Sequence, residues 1–181
     1  MRILLVSPLY PPDVAEPAPY IKELATRLAQ GHAVTILTYG KHPEQIPGVR
    51  IAVVDKGLPR LTRLSRYTHM LRRELASVDV LYVENGPSVE LPTLIATLGS
   101  RVRIVVHRGD DVAYARAKKS PFLNALLTLL KRRAARMIEE HPLARPELNP
   151  LLPLPEAAQR AYDESWRVHT ALVVAACTHE N

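Results

Sequence analysis

The chain has 181 residues, 47% hydrophobic and 23% charged, enough for one sizeable domain with a buried core. No apolar run reaches the roughly 20 residues that cross a bilayer, Pro8 cuts the N-terminal run too early for a secretory signal, and the single cysteine, Cys177, excludes an internal disulfide or a cysteine metal cluster. The formal charge of +6 is unevenly placed: residues 60–73 carry five arginines and residues 116–136 seven Lys or Arg, neither with an acid. These are either two solvated helix faces or a surface for lipid headgroups, a phosphorylated substrate or nucleic acid.

Ile3 to Val6 is apolar on both faces and predicts a central parallel strand. Pro8, Pro11 and Pro12 end it, and Pro17 and Pro19 stiffen the loop that follows. A helix is predicted from about Tyr20, with Ile21, Leu24, Ala25 and Leu28 on one face and Gly31 at its end. Strands follow at 33–38 and, after Pro47-Gly48, at 49–54. Leu61, Leu64, Thr68, Leu71 and Leu75 recur at helical spacing. A strand is predicted at 79–84, then a helix over 89–98 with Ser88 as its N-cap and Pro92 in its first turn. The strand at 102–107 leads into a polar turn. A helix from Ser120-Pro121 to about Arg136 buries Leu123, Leu126, Leu127, Leu130 and Ala134, and a short sixth strand follows. Residues 143–155 are proline-rich and read as a connector. Residues 156–176 form a last helix, with Ala157, Ala161, Trp166, Val168, Leu172 and Val173 as its packing side. Alternating strands and helices predict an α/β, Rossmann-like doubly wound sheet of about six strands in the order 3-2-1-4-5-6.

The chemistry is first limited by what is missing. A dinucleotide fold needs G-x-G-x-x-G after its first strand, because only glycine lets the backbone approach a pyrophosphate. Here that position reads Ser7-Pro8-Leu9-Tyr10-Pro11-Pro12. There is also no phosphate-binding P-loop, no nucleophile elbow and no pair of histidines at metal spacing. No cofactor and no metal are expected.

One combination of segments does point to a family. Pro11-Pro12, Leu24-Ala25-Thr26-Arg27-Leu28, Gly31-His32 and Val34-Thr35-Ile36-Leu37-Thr38 together resemble the opening of the family 4 glycosyltransferases, which have the GT-B fold. DVLYVENGP at 79–87, VRIVVHRGDD at 102–111 and LLKRRAARMIEEHP at 129–142 are similar to later parts of the same N-terminal domain, so the resemblance covers residues 1–142. The last helix resembles the one that returns onto the first domain in full-length members. The resemblance implies a domain that chiefly binds the acceptor, a sugar or a lipid-linked sugar, while a second domain or a partner chain brings the nucleotide-sugar. It implies a hetero- or homo-oligomer if that half comes from another chain. Two departures stand out. The family's first loop carries Gly-Gly where this chain has Ala15-Glu16, and an acid there repels a diphosphate. The donor half is not found between residues 142 and 181.

By the resemblance His107 aligns with the cleft histidine and is the expected catalytic residue. From the residues alone it either hydrogen-bonds a sugar hydroxyl or phosphate oxygen or packs at a strand end. Arg108, Asp110 and Asp111 follow it, and each aspartate either accepts from sugar hydroxyls or caps the next helix. Glu84 and Asn85 are polar at the end of an apolar strand, and Tyr10 and Glu16 lie in the first loop; all four are acceptor-contact candidates. Arg63, Arg66, Lys118, Lys119, Lys131, Arg132 and Arg133 form the expected anionic-membrane surface. A cytoplasmic, peripherally membrane-bound protein is expected. Alternatives are a non-catalytic glycan- or protein-binding module that kept the fold, and a nucleic-acid-binding domain, which the absence of a recognition motif and the low aromatic content of 5% disfavour.

Overall fold

The computed structural model describes residues 1–108, 115, 118–139, 142 and 155–178. Strands β1 (Arg2–Val6), β2 (Ala33–Gly40), β3 (Val49–Asp55), β4 (Val80–Glu84), β5 (Arg103–His107) and β6 (Arg136–Ile138) form one parallel sheet in the order β3-β2-β1-β4-β5-β6. This is the order the alternation of elements predicts. Among the described residues five helices flank it: α1 (Ala18–Leu28), α2 (Arg60–Leu75), α3 (Pro87–Ala96), α4 (Pro121–Arg133) and α5 (Glu156–Thr178). No helix among the described residues is long and apolar enough to cross a membrane.

Successive strand side chains point to opposite faces, so each strand feeds two cores. Ile3, Leu5, Ile36, Tyr82 and Val105 pack with α1 and α5. Leu4, Val6, Leu81, Val83 and Val106 pack with Tyr67 and Leu71 of α2, Val89 and Ala96 of α3 and Leu130 of α4. Right-handed crossovers put α2, α3 and α4 on one face and α1 on the other. The returning helix α5 fills the remaining place. Its Trp166, Val173, Ala176 and Cys177 join the core that contains Tyr82, Val105 and Ile138. Arg27 of α1 ties it down, donating to Asp163 at 2.7 Å with its guanidinium 5.8 Å from the Tyr162 ring centre and 5.9 Å from that of Trp166. Arg103 Nε donates to the Ala176 carbonyl at 3.1 Å.

Local signals held at α4, where Ser120 Oγ accepts from the Leu123 amide at 3.5 Å. They were displaced at α3. Its N-cap is Gly86, at φ 153°, rather than Ser88, and Glu90 Oε1 accepts the Gly86 amide at 3.1 Å. Leu61 is 81% exposed because α2 meets the sheet only from Tyr67 onward. In α5 the buried stripe is Trp166, His169, Val173, Ala176 and Cys177. Ala157 and Ala161 are exposed because they precede the buried stripe, and Val168 is exposed because it lies about half a turn from Trp166, on the other side of the helix.

Cys177 reports directly on the seating of α5. It is buried, and burial pushes its thiol up to about 11. A thiolate-specific reagent at neutral pH is therefore expected to leave Cys177 intact in the native chain and to label it fully in denaturant. Native labelling at the denatured rate would show that the helix is not seated.

Candidate functional site

Open parallel sheets present a crevice outside the strand carboxyl ends, at the point where the strand order reverses. Here that point lies between β1 and β4. Ser7 ends β1, and its side chain shapes the loop, donating to the Leu9 carbonyl at 2.6 Å and accepting the Leu9 amide at 3.3 Å. Gly86 faces it after β4. A Cβ added to Gly86 would lie 3.3 Å from the Pro8 ring, and its φ suits glycine. The two loops therefore meet and floor the crevice.

Glu84 and His107 are paired in register at the ends of β4 and β5. By the two-residue period they share the face of Tyr82 and Val105, the face covered by α1 and α5. Both are fully buried. His107 Nδ1 lies 3.0 Å and 2.9 Å from the two Glu84 carboxylate oxygens. With Glu84 ionised, Nδ1 carries the proton and donates to it, which fixes the ring. Tyr20 of α1 stacks on the imidazole at 4.6 Å and 16°. The Tyr20 hydroxyl lies 2.7 Å from that of Tyr82 and 2.8 Å from His169 Nε2 of α5. Trp166 packs against both Tyr20 and His169. Burial, reinforced by the Glu84 charge, pushes the Tyr20 hydroxyl well above the usual tyrosine range, and burial with the neighbouring Tyr20 and Glu84 does the same at Tyr82. Both remain neutral hydrogen-bonding groups at physiological pH.

The candidates divide by accessibility. Asn85 is buried, its amide donating to the His107 carbonyl at 3.1 Å. Tyr10 is buried and donates to the Glu44 carbonyl at 3.0 Å, so its hydroxyl holds the first loop to the chain beyond β2. Glu16 is exposed and Arg108 is partly exposed, 3.8 Å from Glu139. Asp110 and Asp111 lie outside the described residues. Among the basic candidates, Arg63 is turned inward, donating to the Lys56 carbonyl at 3.1 Å with its guanidinium 5.6 Å from the Tyr39 ring centre. Arg66 is exposed, Lys118 and Lys119 precede α4, and Lys131, Arg132 and Arg133 occupy its last turn. Among the described residues no group of three His, Cys, Asp or Glu could hold a metal ion.

Sequence comparison matches residues 16–148 to the glycosyl transferase 4-like domain. The chain belongs to that family. No curated protein gives a significant sequence match. Among solved structures, the Anabaena protein HepE in complex with UDP is similar at 16% identity and a TM-score of 0.54, over 92% of this chain and 41% of that one. A UDP-N-acetylglucosamine 2-epimerase, so described provisionally, from Listeria monocytogenes is similar at 12% identity and a TM-score of 0.53, over 75% of this chain and 38% of that one. At these identities the likeness is one of fold, and the chain spans about two fifths of each neighbour's length.

For this glycosyl transferase 4-like domain, the sequence pointed to Glu84 and His107 separately. Their pairing was available from equal distances to their strand ends. Tyr20, Tyr82 and His169 were not singled out. Tyr82 shares strand parity with Glu84, but nothing local marks His169, whose burial depends on where α5 comes to rest.

Proposed function

We propose that this domain is the acceptor side of a GT-B sugar transfer, with residues 1–142 as the N-terminal domain, 143–155 as a connector and 156–181 as the returning helix and tail. A hydroxyl-bearing acceptor, a sugar or lipid-linked sugar, sits at the carboxyl edge of β1, β4 and β5. The nucleotide-sugar is held by a second domain, of the same protein or of a partner chain. The observation that carries this reading is the family match combined with the convergence of the β1, β4 and β5 ends at the switch point. The neighbour that binds UDP supports a nucleotide-sugar as donor. Arg108 and Glu16 are the accessible polar groups for direct contact, one donating to and one accepting from hydroxyls. His107, held by Glu84, lies beneath the surface at the β5 end and hydrogen-bonds the reacting sugar when that surface opens.

A second reading has its own support. The imidazole is fully buried between Tyr20, Tyr82 and α5, which favours a glycan- or protein-binding module that kept the fold and uses His107 only to support it. The test is a transfer assay with candidate partner chains and sugar nucleotides. Arg108→Ala is expected to lower transfer by about tenfold or more, the effect of losing one charged hydrogen bond. Transfer unaffected by both Arg108→Ala and His107→Ala would refute the site. Glycan binding without transfer in any mixture would establish the second reading.

A further inference from the structure

We propose that the amino-terminal edge of the sheet, opposite the crevice, is a docking surface for an anionic lipid bilayer. The helices α2, α3 and α4 all end at this edge, each followed by the strand it leads into. The turn after α3 carries Leu98, which is 74% exposed, and Gly99 at φ 77°. Only a residue that tolerates positive φ makes that turn without strain, which suits Gly99 to follow Leu98. Arginines converge on it from both sides. Arg72 of α2 donates to the Ile95 carbonyl at 3.1 Å, and Arg133 of α4 donates to the Thr97 carbonyl at 2.9 Å and to the Ser100 carbonyl. The Ile95 and Thr97 carbonyls also accept the Leu98 and Ser100 amides, so the arginines add second donors at the α3 end, which fixes two guanidinium groups beside Leu98. Arg73, Arg101 and Arg132 adjoin them and are exposed. Among the described residues none of these five arginines is in an ion pair. The nearby acids are committed elsewhere, Glu74 to Arg50 and Asp79 to Arg2. Leu129, one turn before Arg132 and Arg133, is a second exposed leucine.

Two exposed leucines on segments that carry arginines outside any ion pair match a headgroup interface. Phosphates neutralise the guanidinium groups while the aliphatic side chains enter the acyl boundary. A nucleic-acid surface would need stacking aromatics, and the exposed apolar groups named at this edge, Ile95, Leu98 and Leu129, are aliphatic. The proposal does not depend on sugar transfer. It turns the crevice away from the bilayer, and so agrees with a free sugar as acceptor rather than with one anchored in the same membrane.

The test is co-sedimentation of the chain with phosphatidylcholine vesicles, with and without about 30% phosphatidylglycerol, at low salt and at about 0.5 M salt. Binding is expected only to the anionic vesicles and is expected to be lost at high salt. The triple variant Arg73→Ser, Arg101→Ser, Arg132→Ser removes three charges without touching the carbonyl-capping arginines, and should weaken binding about a hundredfold. Leu98→Ser should weaken it about fivefold. The pair Lys118→Ser, Lys119→Ser, at the other end of α4, should change it less than about threefold. Equal binding to neutral vesicles, a dominant effect of the Lys118 and Lys119 pair, or duplex DNA bound as tightly as anionic vesicles with the same triple-variant loss would each overturn the proposal. Unchanged circular dichroism melts establish that the variants fold.

Discussion

Trp166→Ala lowers the unfolding free energy by about 3–5 kcal/mol, the cost of deleting a large aromatic from a closed core, and exposes Cys177 to labelling in the native state. Trp166 is fully buried and is the largest such side chain in the structure. It packs on Tyr20 and His169 and lies beneath the Arg27 guanidinium, so it joins α5 to α1. The cavity has little scope to collapse, because its walls belong to the sheet and to a helix fixed at both ends by Asp163 and the Ala176 carbonyl. Urea denaturation gives the stability change, and the labelling rate of Cys177 tells whether α5 lifts before the rest unfolds. A loss under about 1 kcal/mol, with Cys177 still protected, would mean that α5 is seated by other contacts.

His107→Ala is expected to cost about 3–5 kcal/mol as well, for a different reason. The substitution leaves a buried Glu84 carboxylate without its imidazole, and an uncompensated buried charge costs more than the pair contributes. The discriminating variant is therefore the double one. Glu84→Gln removes the charge, and Glu84→Gln combined with His107→Ala should be less destabilised than the sum of the singles, with a coupling of about 1–3 kcal/mol. Additive losses would show that the two side chains do not depend on each other. Any activity loss at His107 has to be read against this stability cost, which is why Arg108→Ala carries equal weight in the transfer assay.

Much of the fold was legible because it rests on patterns the chain repeats. Apolar strands alternating with helices imply a parallel sheet, and handedness limits its order; the observed order follows. Single-helix faces were less legible. Leu61 looks like a core residue by spacing and is exposed. Helical periodicity tells which residues share a stripe, but not how far along the helix the sheet extends beneath it. His169 shows the converse. An isolated histidine in a polar stretch becomes a core residue because α5 places it on the Tyr20 hydroxyl. The candidate site was legible as positions and not as depth. Strand ends locate Glu84, Asn85 and His107 at the crevice, but strand parity then turns Glu84 and His107 under α1 and α5, while Arg108 and Glu16 stay at the rim.

The central claim is that the rim formed by the β1, β4 and β5 ends receives the acceptor sugar. Backbone amide spectra of the full chain, titrated with a panel of mono- and oligosaccharides and separately with UDP-sugars, test it most directly. A saccharide is expected to shift the amides of Leu9, Gly86, Ser88 and Arg108, and UDP-sugars to shift them weakly or not at all. Shifts at these amides from UDP-sugars alone, or saccharide shifts confined to other parts of the domain, would contradict it.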